Sequence, residues 1–137
     1  MRHMKQLLLI LTVVGQSVFA ADKKPLTKEE SAKVIEAAIR KKIKKPTGEL
    51  TKADLEKVTT LNLFYNKLTS VKGLEKLTHL THLNLDGNRL TSVKELEKLT
   101  QLTRLTLTGN PLTDVKGLEK LTQLTRLELY NNKLTDV

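Results

Sequence analysis

The chain has 137 residues, enough for one domain of ordinary size, and carries a formal charge of +9. It contains no cysteine, which excludes disulfides, thiolate metal sites and a cysteine nucleophile. A positive balance of that size draws a protein towards anionic surfaces, and the compartment decides which ones it meets.

Residues 1–20 read MRHMKQLLLILTVVGQSVFA. Arg2 and Lys5 give a positive start, LLLILTVVG an apolar stretch and SVFA a small-residue end. That is the layout of a secretory signal, with cleavage expected between Ala20 and Ala21. An uncleaved membrane anchor is the alternative, but the apolar run is short of the roughly 20 residues that a span needs. No cysteine follows the signal, so no lipoprotein anchor is available. Removing it takes away Arg2 and Lys5 and no acid, lowering the charge from +9 to +7. The mature chain is then expected to be secreted or periplasmic, with no membrane span. There it meets anionic glycans and lipids more readily than nucleic acid.

Residues 21–26, ADKKPL, read as a disordered lead, and residues 27–54 as a helical cap. Thr27 followed by Glu30 fits a capping box. The helix it opens carries Ile35, Ile39 and Ile43 four apart on one face. Arg40, Lys41, Lys42, Lys44 and Lys45 crowd its end, where cations complement the helix dipole. These five cations are also a candidate patch for an anionic surface. KPTGE breaks the helix, and Thr51 with Asp54 opens a second short helical turn.

Residues 55–137 repeat. Asn66, Asn88, Asn110 and Asn132 are 22 residues apart, as are Leu63, Leu85, Leu107 and Leu129. VKGLEKLT at 71 returns as VKELEKLT at 93 and VKGLEKLT at 115, making four copies, the last incomplete. Within one copy Leu77, Leu80, Leu83, Leu85, Asn88, Leu90, Val93 and Leu96 are expected inward. Steps of three would walk around a helix axis, whereas Leu83 and Leu85, two apart, suit a very short strand with both side chains on one face. One such turn cannot fold alone, but stacked turns bury each other and align their strands in one parallel sheet. The asparagine amide, with donors and an acceptor together, is placed to satisfy inward-facing backbone groups at the tight turn.

LTHLNLDGNRL, LTRLTLTGNPL and LTRLELYNNKL, with VTTLNLFYNKL substituting Val58, resemble the leucine-rich repeat family, and the 22-residue length resembles its internalin-like bacterial class. The resemblance implies an α/β solenoid. Its coil would be right-handed, with a short-stranded parallel β-sheet on the concave face, 3₁₀ or extended segments on the convex side, and an N-terminal helical cap. It also implies protein binding.

Comparing the copies separates scaffold from surface. On the convex side Lys72, Lys94 and Lys116 recur beside Glu75, Glu97 and Glu119, as a solvated face would. Three columns between the leucines vary instead: Thr60, His82, Arg104, Arg126; then Asn62, Asn84, Thr106, Glu128; then Phe64, Asp86, Thr108, Tyr130. By strand alternation they project onto the concave face. Phe64, Tyr65 and Tyr130 are the aromatics of the mature chain, and aromatics and arginines dominate interfaces. Phe64 either packs beneath the cap or joins that surface.

The expected partner surface is therefore Phe64, Tyr65, His82, Asn84, Asp86, Arg104, Thr106, Arg126, Glu128 and Tyr130, with Asn66, Asn88, Asn110 and Asn132 structural. His82, Asn84 and Asp86 share a face, but no nucleophile or oriented base accompanies them, so neither catalysis, a metal nor a cofactor is expected. The expected function is recognition of a protein or peptide. The alternatives are an anionic glycan or lipid surface, and targeting repeats of a longer enzyme. Leu124, Leu127, Leu129 and Leu134 would form an uncovered apolar end if the chain stopped at Val137, which predicts end-to-end self-association.

Overall fold

The structure, a computed structural model, describes residues 24–135, so the expected signal over residues 1–20 and the start of the lead lie outside the described residues. Leu26, at the end of that lead, is anchored: its carbonyl accepts the Thr69 hydroxyl at 2.7 Å. Helix α1 (Lys28–Ile43) follows. Thr27 Oγ1 accepts the Glu30 N–H at 3.1 Å, and the Glu30 carboxylate accepts the Thr27 N–H at 2.7 Å, closing the capping box. That backbone hydrogen bond holds the Glu30 carboxyl below its ordinary value. Ile35 and Ile39 are buried and Ile43 partly so, which makes the four-residue spacing the inner face of α1. Ser31, buried on the same face, accepts the Thr69 N–H at 3.1 Å and ties the helix to the first coil. The second capping box, Thr51 with Asp54, opens helix α2 (Lys52–Glu56).

Four three-residue strands then recur once per coil: β1 (Thr60–Asn62), β2 (His82–Asn84), β3 (Arg104–Thr106) and β4 (Arg126–Glu128). They form one parallel sheet in sequence order, each residue opposite the one 22 positions on. Backbone pairing runs past the strand ends, as from Leu85 N–H to the Thr106 carbonyl at 2.9 Å. The return path carries 3₁₀ turns at Leu74–Lys76, Lys94–Lys98 and Leu118–Lys120. The middle one is longer because Glu95 stands where its neighbours have Gly73 (φ 106°) and Gly117 (φ 99°), a conformation that a side chain resists.

The core is a column of leucine, isoleucine and valine. All eight residues expected inward, Leu77 to Leu96 with Asn88 among them, are buried. The asparagine side chains do not bond to one another but to backbone groups. Asn88 Oδ1 accepts the N–H groups of Asn66 (3.1 Å) and Leu68 (3.0 Å), while its Nδ2 donates to the carbonyls of Leu63 and Leu85, both at 2.9 Å. Each such asparagine thus stitches its own turn to the coil before it, and Asn110 and Asn132 repeat the pattern. A second column escapes the leucine pattern altogether. Thr81, Thr103 and Thr125 each donate their hydroxyl to the carbonyl 22 residues earlier, at 3.0, 3.1 and 3.1 Å.

The last coil is less covered. Leu127 in β4 is 39% exposed where Leu105 in β3 is fully buried, and Leu124, Leu129 and Leu134 are only partly buried. No described helix is long and apolar enough to cross a membrane.

Candidate functional site

Short strands on a stacked coil place every second residue outward, and the sheet's curvature turns those residues towards each other. Thr60, Asn62, His82, Asn84, Arg104, Thr106 and Arg126 line one shallow groove of about 430 Å³ across all four strands. Two of the three varying columns are thus brought together, apart from Glu128, which is not among the lining residues. Lys42, from the last turn of α1, closes one side of the groove. The repeats could not reveal its place, since it belongs to the cap.

The third column does not join the groove. Phe64, Asp86, Thr108 and Tyr130 follow the strands, on the turns, and so form a rim. The physical cause is the next residue in each coil. Tyr65 (φ 52°), Gly87 (66°), Gly109 (71°) and Asn131 (54°) are left-handed, which ends the extended run. Phe64 is 51% exposed and meets Tyr65 edge-on at 5.5 Å, so it does not pack beneath the cap. Tyr130 is 75% exposed on the same rim, three coils away.

Several expected surface residues are engaged within the fold. Asp86 Oδ1 accepts the Thr108 N–H of the next coil at 2.8 Å. That contact accounts for Thr106, whose hydroxyl is buried without a partner. In the coils before it Asn62 and Asn84 accept the N–H two residues on, at 3.2 and 2.9 Å. The equivalent N–H for Thr106 is that of Thr108, already taken by Asp86. Glu128 is bound to Arg126 at 2.6 Å, so this arginine reaches the groove neutralised. His82 Nδ1 lies 2.9 Å from Thr81 Oγ1, whose own proton goes to the Thr59 carbonyl. The ring nitrogen is therefore assigned the proton there. Arg104 is exposed, and its guanidinium has no partner among the described residues.

The basic cluster at the end of α1 is divided. Arg40 donates to the carbonyls of Lys45 (3.2 Å) and Gly48 (2.9 Å) and pairs with Glu36 at 2.8 Å, while Lys45 holds Asp54 at 2.6 Å. Those two cations stabilise the connection from α1 to α2, leaving Lys41, Lys42 and Lys44 outward. The Lys45 ammonium, with the Thr51 backbone, holds the Asp54 carboxyl well below the usual carboxylate range. On the convex side the lysines are exposed as expected. Glu75 and Glu119, however, accept the N–H groups of Gly73 and Gly117 at 2.6 and 2.7 Å, so they also brace the return turns. Among the described residues no group of three or more His, Asp or Glu side chains is placed to hold a metal ion.

The family of leucine-rich repeats (two copies) matches residues 56–98 and 100–137. Among solved structures, an internalin, InlF, from Listeria monocytogenes is 33% identical with a TM-score of 0.71, over 76% of this chain and 31% of that one. Internalin C2 from the same species is 32% identical with a TM-score of 0.72, over 76% and 47%. The InlJ functional domain, also from Listeria monocytogenes, is described as including a cysteine ladder. It is 36% identical with a TM-score of 0.59, over 63% and 19%. This chain therefore spans less than half the length of each of these three structures. No curated protein matches it. Matched in sequence along its repeats and in three dimensions along its coil, the chain belongs to the leucine-rich repeat family, as an internalin-like bacterial member.

Proposed function

We propose that the chain is a non-enzymatic protein-interaction module of an exported bacterial protein, recognising a protein or peptide through the concave groove. One observation carries the reading. Core and convex positions largely recur from coil to coil, whereas two of the three columns that change meet in a single groove and the third follows it as a rim. A surface that varies on a constant scaffold is where specificity is placed. Export rests on the sequence of residues 1–20. A photo-crosslinking residue at Asn84 in the full chain, compared with one at Lys94, tests the surface. The reading requires a discrete adduct from the Asn84 position with a purified, directly binding partner. Adducts formed equally well from Lys94 would place recognition elsewhere.

Binding to an anionic surface through the end of α1 is the weaker reading, because Arg40 and Lys45 are committed to partners within the fold.

A further inference from the structure

The chemistry of the groove's occupant follows from how its lining is already engaged. Asn62 and Asn84 commit Oδ1 to the N–H groups of Phe64 and Asp86. Their amides therefore face outward with Nδ2, which only donates. Among the described residues Arg104 and Lys42 are exposed cations without partners, and no carboxylate lines the groove. The floor is thus two unpaired cations beside two fixed amide donors. We propose that the groove takes an acidic peptide segment, with Arg104 and Lys42 binding its carboxylates and the Asn62 and Asn84 amides donating to its carbonyls.

This rests on the concave-surface reading and narrows it to one partner chemistry. Arg104 presents a planar fork that matches a carboxylate bidentately. A long sulfated glycan needs a continuous row of cations, and here the row is interrupted. Thr60 is neutral, Arg126 is neutralised by Glu128, and Arg40 and Lys45 are turned to their own loop. One or two carboxylates suit the site; a polyanion does not.

The test is an amide-shift titration of the full, isotope-labelled chain with three probes: a short glutamate-rich peptide, its glutamine counterpart and a heparin-type oligosaccharide. The glutamate peptide is expected to shift β2 and β3 amides and to bind at least about tenfold more tightly than the glutamine peptide. Arg104→Gln and Lys42→Gln should each weaken it by about that factor with the remaining spectrum unchanged, and Lys94→Gln should not. Equal binding of both peptides in the groove overturns the acidic partner and leaves the concave reading standing. Shifts confined to convex or α2 amides overturn both. Binding of the oligosaccharide alone in the groove, or no shift with either peptide at millimolar concentration, overturns the peptide assignment.

Discussion

Asn88 Oδ1 accepts the Leu68 N–H at 3.0 Å, although Leu68 lies in the preceding coil. The bond is buried, and the same amide also satisfies the Leu63 carbonyl. Asn88→Leu keeps the volume but strands both groups away from water. It is expected to destabilise the fold by about 2–4 kcal/mol in denaturant melts. Asn66 lies in the first coil, and its side chain donates only to the Phe64 carbonyl at an exposed position. Asn66→Ala should therefore cost under about 1 kcal/mol. Equal losses at the two sites would show that stitching between coils is not the column's role.

Asp86 and Arg104 were alike in sequence, both varying residues on outward columns, yet the fold uses them differently. Asp86 holds the Thr108 N–H of the next coil, and the Arg104 guanidinium holds nothing among the described residues. Asp86→Ala should lower stability by about 0.5–2 kcal/mol, an effect softened if Thr106 Oγ1 takes over the freed N–H. Arg104→Ala should leave stability within about 0.5 kcal/mol. It should nonetheless cost partner binding about 1–4 kcal/mol. A loss of binding as large from Lys94→Ala or Lys116→Ala, on the convex side, would show the wrong surface.

These cases mark what the sequence makes legible. A 22-residue period fixes which residues share a column and hence the core, the register of the strands and the inward place of Asn88. The capping box of Thr27 and Glu30 is local and equally readable, whereas Thr51 with Asp54 reads only as the start of a helical turn. The period does not say what an outward polar side chain bonds to, because that depends on angstrom-scale competition among neighbouring donors. The hydroxyl ladder of Thr81, Thr103 and Thr125, the Asp86 bond and the bracing by Glu75 were hidden for that reason. Lys42 is legible as a member of the basic cluster, but its place at the groove is not, because the docking of α1 against the sheet lies outside the repeat.

The Lys45–Asp54 pair gives a pH dependence. Its hydrogen bond depresses the Asp54 carboxyl below its ordinary 3.8 in the folded state, so folding favours the ionised form. The resulting stability is fully present above about pH 4 and is lost as the pH falls towards the folded value. Asp54→Asn retains an acceptor for the Thr51 N–H but not the charge. The stability gap between the two proteins should be constant from neutrality to about pH 4 and should narrow below it. A gap that widens on acidification would mean the pair does not form.

Leu127 faces solvent at the end of the stack, whereas its equivalents Leu105 and Leu83 are covered by the following coil. In a polypeptide of residues 21–137 the outer edge of β4 also lacks a strand partner among the described residues. Apolar surface and an open strand edge at one place favour association through that end. Such a polypeptide is expected to sediment with an average mass above the monomer at high micromolar concentration. Leu127→Lys should shift it towards monomer, because the side chain is already partly exposed and a charged edge resists pairing. Its folding should change little, which separates loss of association from loss of structure. Adding further repeats closed by a polar cap should give the same monomer by covering the leucine. If the unsubstituted polypeptide stays monomeric and its β4 amides are protected from exchange, the end is sealed by other means.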